Sequence, residues 1–368
     1  MANLYITEQN SIIRKTGDRL IVQKDNVVLL DIQCHKIDTI LIFGNVQFTT
    51  QSVHELFEHG IELALLTRTG RLVGQLTPPM PKNIEIRMAQ YERYKDEDFV
   101  LKLSKAIVSG KLKNSMEVLR RFSYNHPEVN LKDETGSLEK SIQEVQFRNN
   151  LQELRGIEGA GAKVYFGGFA KMIRGDFDFN GRKKRPAPDP VNALLSFGYT
   201  ILFNEISSLL DGIGFDPYLG FFHQIEYGRS SLAADLIEEF RAPVVDRFTL
   251  KLINDRIFVP EDFSIHPPSG SMHLNAEKMK RYFAEYEKYM NQESKAKDLH
   301  FGSNTLECTS SDLSDYSQPQ ILGDSIQQEN TEKITFRKSF REQAHRLAKA
   351  IKNEEEYIPF HLVRGMVE

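Results

Sequence analysis

The stretch 220–241 carries residue types that support metal-dependent chemistry. His223 lies in a predicted loop, where aromatic residues and glycines flank it. The residues that follow are predicted to form a helix, because large apolar residues recur along one face at helical spacing. Asp235 and Glu238 are neighbours on the opposite side of that helix, and Glu239 lies at the edge of the same face. An imidazole delivered from a loop towards paired carboxylates is an arrangement of mixed ligands for a divalent metal ion.

The same pattern has a plainer explanation. Carboxylates three residues apart usually form a solvated helix face, and a single histidine is usually a polar side chain that has found a partner. The residues around His223 therefore leave both interpretations open, and the rest of the chain must decide between them.

A further carboxylate, Glu158, lies in an unusual setting. Five glycines occur within residues 155–169, around and after this glutamate. Because glycine weakens a helix, so many glycines indicate tight helix contacts or close approach of the backbone to another group. A phosphate-cradling loop is a poor match, since no strand precedes the segment and no Lys-Ser/Thr pair follows it. We expect close helix packing that leaves Glu158 facing a cleft.

Charge is unevenly distributed along the chain. The formal net charge of −4 does not indicate a nucleic-acid-binding protein, so any basic surface must be local. Between residues 155 and 185, eight lysines or arginines stand against three acidic residues. This basic segment suits phosphate contacts, although a run of charge is more often merely solvated. The candidate DNA-binding residues are Arg174, Arg182, Lys183, Lys184 and Arg185.

Cysteine usage and hydropathy limit the class of protein. The two cysteines, Cys34 and Cys308, are far apart and lack metal-ligand spacing. A disulfide framework and a cysteine-ligated zinc site are therefore not expected, and a reducing cytoplasm fits. No apolar run of membrane-spanning length and no signal peptide are evident, so we expect a cytoplasmic protein without a membrane partner.

The predicted fold class is α+β, with a small N-terminal, mostly antiparallel β-domain followed by a larger all-α catalytic domain. Residues 1–77 alternate short apolar strands with turns, include one short helix, and carry no cluster of catalytic residue types. Residues 78–82 form a proline linker. Helical spacing then dominates residues 83–292 and 333–368, and the polar segment 293–332 is predicted to be a flexible insertion.

Three pieces of sequence together resemble one family. They are Arg155-Gly-Ile-Glu-Gly, the run 188–199 that begins Pro-Asp-Pro-Val-Asn, and Gly220-Phe-Phe-His followed by Ser-Leu-Ala-Ala-Asp-Leu-Ile-Glu-Glu-Phe-Arg241. The chain resembles the universal CRISPR-associated adaptation integrase, the metal-dependent endonuclease that inserts new spacers into CRISPR arrays. The resemblance covers about residues 1–290 and the last helix, and the insertion has no recognised counterpart.

By this resemblance, Glu158, His223 and Glu238 match the metal ligands of the family, and Asp235 matches an acid beside them. All four are candidate catalytic residues. Some members have Asp at the position of Glu238, which changes the reach of the carboxylate. Asn192 lies in a family motif and is interpreted as supporting local structure. Carboxylates and an imidazole suit Mg²⁺ or Mn²⁺, and the lack of cysteine ligands argues against zinc.

The resemblance also implies an activity and partners. A DNA 3′-hydroxyl would attack a repeat phosphodiester in a transesterification, whereas attack by water would make the same site a nuclease. The implied partners are double-stranded DNA, a second copy of the chain bound through the β-domain, and the small ferredoxin-like second adaptation protein. Two alternatives stay open, a structure-selective nuclease and a non-catalytic DNA-binding scaffold. Metal dependence separates the scaffold from the enzymes, and joining separates the integrase from the nuclease.

Overall fold

The computed structural model describes residues 2–68, 70, 72–79, 83–183, 186–267, 270–292, 294–295, 299–300 and 333–362. The N-terminal β-domain has the succession of short strands and one helix that the sequence predicts. Its elements are β1 (Ala2–Ile6), β2 (Ile12–Thr16), β3 (Arg19–Lys24), β4 (Val27–Gln33), β5 (Ile37–Phe43), β6 (Gln47–Phe48), α1 (Thr50–Glu58), β7 (Glu62–Leu66) and β8 (Leu72–Leu76).

The strands form two four-stranded sheets, in the orders β1-β5-β7-β8 and β4-β3-β2-β6. The predicted antiparallel pairing holds for β2–β3, β3–β4 and β7–β8. It fails for β1–β5, β5–β7 and β2–β6, which are parallel. For β1–β5 and β5–β7 the reason is that the first sheet is covered on both faces, as parallel sheets usually are. Ile40 and Ile42 of β5 lie in the core of the β-domain, whereas Leu41 and Phe43 join the core of the helical domain.

The second domain is mainly helical, as predicted. Its helices are α2 (Ile84–Tyr94), α3 (Glu97–Asn125), α4 (Lys132–Val145), α5 (Leu151–Lys171), α6 (Pro190–Ile213), α7 (Ser231–Ile237), α8 (Arg247–Asn254), α9 (Met279–Met290) and α10 (Phe336–Ile351). The domain is not entirely α-helical, because an antiparallel hairpin forms between β9 (Phe263–His266) and β10 (Ser271–Leu274). This hairpin covers the start of α6 through a backbone bond from Met272 to Ala187.

Only the ends of the predicted insertion can be described. β11 (Ser294–Lys295) pairs with β13 (Lys333–Ile334), and β12 (Leu299–His300) pairs with β14 (His361–Leu362). The central part of the insertion, residues 301–332, lies outside the described residues, and so do residues 80–82 of the predicted proline linker. The flexibility of the insertion stays a prediction.

The glycine-rich segment forms part of one continuous helix, α5. Its glycines allow close packing on α3, since a Cβ atom at Gly161 would collide with the side chain of Leu112. At Gly168 a Cβ atom would come within 3.1 Å of Leu119. The expected tight helix contact is therefore confirmed, and it fixes the spacing between two helices that line the site.

Helix α6 is the central core helix of the domain. Asp189 caps it by accepting a 2.7 Å hydrogen bond from the Asn192 amide, and Pro190 occupies the first turn. Contrary to the sequence-based expectation, α6 is long and apolar enough to cross a membrane by length and composition. More than half of that apolar window is buried inside the protein, which is typical of a core helix.

The helix that carries the predicted carboxylates is shorter than expected. α7 ends at Ile237, and the chain continues through a π-helical segment, Arg241–Asp246, which contains Pro243. All seven residues of α7 are buried, so the alternative interpretation of a solvated helix face does not hold. Proline removes an amide donor and crowds the preceding turn, which explains why the regular helix does not continue.

Candidate metal centre

Three elements bring the predicted ligands together, and a fourth element, α3, adds Lys111. Glu158 lies on α5, His223 lies in the loop before α7, and Glu238 lies directly after α7. His223 Nε2 is 3.7 Å from Glu238 Oε1. Lys111 of α3 lies between the two glutamates: its Nζ contacts Glu158 Oε1 and lies 2.6 Å from Glu238 Oε2. Residues far apart in sequence thus form one compact group of charged side chains.

Asp235 holds the loop that carries His223. Its Oδ2 accepts hydrogen bonds from the amides of Phe221 (2.5 Å) and Phe222 (3.0 Å). Its Oδ1 accepts from the amide of His223 (2.8 Å) and lies 2.7 Å from His223 Nδ1. Because a carboxylate accepts and does not donate, Nδ1 carries the proton of that bond and Nε2 is directed towards Glu238. Asp235 is thus placed to orient the imidazole.

The electrostatic setting keeps Glu238 charged. Burial by itself raises the pKa of this carboxyl group, but Arg241, Lys111 and His223 outweigh burial and lower it to about 2. Arg241 Nη2 lies 3.4 Å from Glu238 Oε1. Arg241 in turn stacks over the ring of Tyr199, 5.0 Å from its centroid, which holds the guanidinium beside the cleft. A buried carboxylate that stays ionised is suited to bind a cation.

The side chains fit a hard divalent metal ion. Glu238 lies beside the His223 imidazole, and Lys111 links Glu238 to Glu158. Two carboxylates and an imidazole nitrogen are a suitable set of ligands for Mg²⁺ or Mn²⁺. Glu238 Oε2 is buried, and among the described residues nothing donates a hydrogen bond of good geometry to it. The Lys111 ammonium is close to that oxygen as an ion pair without filling this role. An orphaned carboxylate oxygen of this kind leaves coordination capacity for an ion.

Lys111 is the main residue that sequence reasoning missed. It lies within a long helix that the sequence assigns to packing, and no motif contains it. The sequence carried no direct signal for it, because its burial, 12% side-chain exposure, is visible only in the structure. A lysine buried to this degree usually has a charged partner. Its partners, Glu158 and Glu238, are brought to it only by the packing of α3 against α5 and against the π-helical segment that follows α7.

Glu239 lies outside the cluster. Its carboxylate accepts hydrogen bonds from the Tyr357 hydroxyl (2.5 Å) and the Phe360 amide (2.7 Å), on the side of the C-terminal segment. Burial raises the pKa of Glu239 to about 8. Adjacent glutamates thus face different surroundings and have opposite pKa shifts.

The predicted DNA-binding residues fall into three groups. Arg174 and Lys183 are exposed, whereas Lys184 and Arg185 lie outside the described residues. Arg182 is directed inwards: its guanidinium donates to Asn192 Oδ1 (2.9 Å) and Ser196 Oγ (3.1 Å). Burial lowers the pKa of Arg182, which is held internally rather than presented to a phosphate.

Asn192 supports local structure, in agreement with its interpretation from sequence. Its Oδ1 also accepts a 2.8 Å bond from the Lys183 amide, and its Nδ2 donates to Gly181 O and to Asp189. The basic loop is thereby fixed to the first turn of α6.

A second group of metal-ligand side chains occurs in the β-domain, where the sequence analysis predicts no metal site. One ligand atom each of Cys34, Glu55 and His59 lies within 4.8 Å of the others. The absence of a cysteine motif hid this group, because Cys34 belongs to the turn before β5 and the other two residues belong to α1 and its C-terminal end.

Comparison with known proteins identifies relatives across most of the chain. A family model described as CRISPR associated protein Cas1 matches residues 4–288. The CRISPR-associated endonuclease Cas1 2 of Rhodospirillum rubrum is 34% identical over 302 residues, covering 79% of this chain and 86% of that protein. A CRISPR-associated exonuclease Cas4/endonuclease Cas1 fusion of Geobacter sulfurreducens is 34% identical over 299 residues, covering 79% of this chain. The match spans about half of the fusion's own length, 53%.

Solved structures share the fold. A casposase bound to integration product superposes with a TM-score of 0.79 at 20% identity, covering 100% of this chain and 95% of the casposase chain. A chain of a Cas6-RT-Cas1–Cas2 complex superposes with a TM-score of 0.76 at 23% identity, covering 100% of this chain and 36% of that one. The β-domain followed by a helical domain is therefore an architecture shared with these proteins.

Proposed function

The chain belongs to the Cas1 family of CRISPR-associated proteins, and we propose that it is a metal-dependent DNA endonuclease and integrase of CRISPR adaptation. The observation that carries this proposal is the charged group in which the ionised Glu238 lies beside His223 and is linked to Glu158 through Lys111. Glu238 is buried yet ionised, and one of its carboxylate oxygens lacks a hydrogen bond of good geometry. These properties suit a metal ligand.

Glu158, His223 and Glu238 would hold Mg²⁺ or Mn²⁺. Such an ion, when bound, would polarise a phosphodiester and stabilise charge on the attacking and leaving oxygens. The chain contributes orientation and charge. Asp235 fixes the imidazole so that Nε2 faces the cleft, and Arg241 keeps Glu238 ionised in spite of its burial.

The attacking group decides between integration and cleavage. A DNA 3′-hydroxyl would give transesterification and joining of a spacer to a repeat, whereas water would give hydrolysis. We favour integration, because a structural relative of the same fold is a casposase bound to integration product. A structure-selective nuclease with the same ligands is the second candidate, since the sequence relatives are named endonucleases.

The proposed partners are double-stranded DNA, a Cas2 protein and a second copy of the chain. The matched Cas6-RT-Cas1–Cas2 complex supports the Cas2 partner, which we expect to be the small ferredoxin-like adaptation protein. For the homodimer we propose the β-domain, where Val27, Val28 and Leu29 of β4 are exposed at the edge of a sheet. A cytoplasmic location suits a DNA-modifying protein of this kind.

The test is a joining assay with purified protein, Mn²⁺, a spacer-like duplex carrying 3′-hydroxyl ends, and a repeat-containing target. We expect joined products with the parent chain and none with His223→Ala, because the variant lacks the nitrogen ligand. Circular dichroism and DNA binding should be nearly unchanged in the variant. Joining at the parental rate by folded His223→Ala protein would refute the metal-centre assignment. Cutting without joining would favour the nuclease instead.

The DNA-binding surface can be tested separately. Neutralising Arg174, Lys183, Lys184 and Arg185 together should weaken binding to unrelated DNA sequences by similar factors. Each lost phosphate contact should also remove about 0.9 from the slope of log affinity against log salt on duplex DNA. Arg182 is left intact, because its internal bonds hold the loop and its loss would confuse folding with binding. An unchanged affinity and salt slope would show that the loop is only solvated.

A further inference from the structure

The cluster of Cys34, Glu55 and His59 lies in the β-domain, apart from the cleft of the helical domain. Cys34 belongs to the short turn between β4 and β5, Glu55 lies on α1, and His59 directly follows α1. We propose that these three side chains form a second, structural site for a zinc-class transition metal ion. The site would tie the β4–β5 turn to α1 and so rigidify the β-domain.

The geometry of the cluster suits tetrahedral coordination. Glu55 and His59 are four residues apart, so their side chains project from the same face of the helix end. Glu55 Oε1 lies 3.2 Å from His59 Nε2. Two ligands bound at about 2.0–2.1 Å with a tetrahedral angle are roughly 3.3 Å apart, so the two atoms already have the required separation. One ligand atom of Cys34 also lies within 4.8 Å of a ligand atom of each of the other two residues.

The two oxygens of Glu55 face different partners. Oε1 faces the imidazole, whereas Oε2 forms an ion pair with Lys15 of β2. The carboxylate can therefore bind an ion through Oε1 while Lys15 stays on Oε2. Ligating carboxylates are commonly held by such an outer partner, which fixes their orientation. The lysine thus supports the site and does not have to leave it.

Burial and charge complete the argument. Cys34 is fully buried and the Glu55 side chain is 6% exposed, whereas the His59 side chain is 37% exposed. One side of the site therefore opens to solvent, where water supplies the fourth ligand. A thiolate and a carboxylate balance the charge of a divalent ion.

The chemistry of the donors selects the metal. A thiolate with an imidazole and a single carboxylate suits Zn²⁺ or Co²⁺ and disfavours Mg²⁺, which requires oxygen ligands in octahedral geometry. The site in the helical domain has the opposite preference, because it contains two carboxylates and no sulfur. The two sites should therefore be separable by the metal ion that each one binds.

The test is a Co²⁺ titration of the full chain carrying His223→Ala, which removes the imidazole of the cleft. We expect about one equivalent of Co²⁺ to produce a thiolate-to-cobalt absorption in the near ultraviolet, and Zn²⁺ to abolish it by displacement. The chain has two cysteines, which provide a matched pair of variants. Cys308→Ser should retain the absorption, and Cys34→Ser should lose it.

A second pair of variants, at two histidines, tests the proposal if Cys34→Ser fails to fold. His59→Ala should weaken Co²⁺ affinity at least tenfold, because one of three protein ligands is lost. His54→Ala, an exposed histidine on the same helix, should not change it. Zn²⁺ should also raise the melting temperature of the parent and of His54→Ala, but not that of His59→Ala. No sulfur absorption in the parent, or equal affinities of the two histidine variants, would overturn the proposal.

Discussion

The two glutamates directly after α7 lie in different surroundings and show how those surroundings determine the charge of a carboxylate. Glu238 and Glu239 are adjacent and are both buried, 3% and 0% exposed. Glu238 faces the cleft, where Arg241, Lys111 and His223 offset burial and the pKa falls to about 2. Glu239 faces the C-terminal segment, where burial prevails and the pKa rises to about 8. Burial alone therefore does not decide the charge of an acid; the cations around it do.

The region around Glu239 anchors the C-terminal segment. Besides the two bonds to Glu239, Asn114 of α3 donates to Phe360 O (2.9 Å) and accepts from the Leu362 amide (2.8 Å). Gln343 of α10 adds a 2.7 Å bond to Ile358 O. Neutral donors and acceptors dominate this side, which gives it a structural role, whereas the cleft gathers net charges.

The largest expected effect is the difference in activity between two variants, Glu238→Gln and Glu239→Gln. Glu238→Gln should reduce the rates of metal-dependent cleavage and joining by more than about a hundredfold. Loss of a group that only orients a ligand typically reduces activity by about tenfold to hundredfold. Glu239→Gln should leave the rate at saturating metal within about threefold, since it removes no ligand. Initial rates at neutral pH measure both. Equal losses in the two folded variants would remove the functional distinction between the two sides.

A smaller loss is expected from Asp235→Asn, which keeps the shape of the side chain. An amide has one oxygen, so it cannot accept from the Phe221, Phe222 and His223 amides and from Nδ1 as the carboxylate does. We expect a tenfold to hundredfold loss of activity and of Mn²⁺ affinity, with a changed pH titration of the His223 imidazole by NMR. Asp255→Asn, at an exposed acid paired with Lys251, is the control and should change neither.

The opposite pKa shift of Glu239 predicts a pH-dependent stability. In the unfolded chain this glutamate ionises near its ordinary pKa of 4.5, but in the folded protein only near 8. Between these values the unfolded state has released a proton that the folded state retains, so the free energy of unfolding falls as pH rises. The contribution has a slope of at most about 1.4 kcal/mol per pH unit and levels off above pH 8.

Glu239→Gln should remove this contribution, because the amide stays neutral. The stability of the variant relative to the parent should increase from pH 5 to pH 8, as measured by urea unfolding. Glu354→Gln, at an exposed glutamate, is the matched control and should follow the parent. Parallel profiles for parent and Glu239→Gln would show that the carboxyl group is not held protonated.

The smallest expected effect concerns Lys111. Its ammonium lies between Glu158 and Glu238 and competes with a divalent ion for the same two carboxylates. Lys111→Met should therefore raise Mn²⁺ affinity about threefold to tenfold, measured without DNA by calorimetry. Lys113→Met, at an exposed lysine on the same helix, should leave affinity unchanged. A weaker Mn²⁺ affinity in Lys111→Met would show that the lysine assists the ion rather than competing with it.

Much of the fold follows from local sequence. Helical spacing over residues 83–292 and 333–368 predicts the mainly helical second domain that the structure has. Strand pairing was harder, because it depends on which strands meet. The unbroken apolar run Ile40–Phe43 was the available signal, since a strand buried on both faces favours parallel pairing.

The sequence by itself determined the residue types of the candidate centre, Glu158, His223 and Glu238, and the elements that carry them. Only the tertiary structure decided what surrounds those residues. It brought Lys111 between glutamates 47 and 127 positions away in sequence, turned Arg182 inwards, and assembled Cys34 with Glu55 and His59. Local spacing determines which face of an element a side chain occupies. The charged groups that surround the side chain depend on packing between distant elements. At Glu238 and Glu239 those surrounding groups determine the sign of the pKa shift.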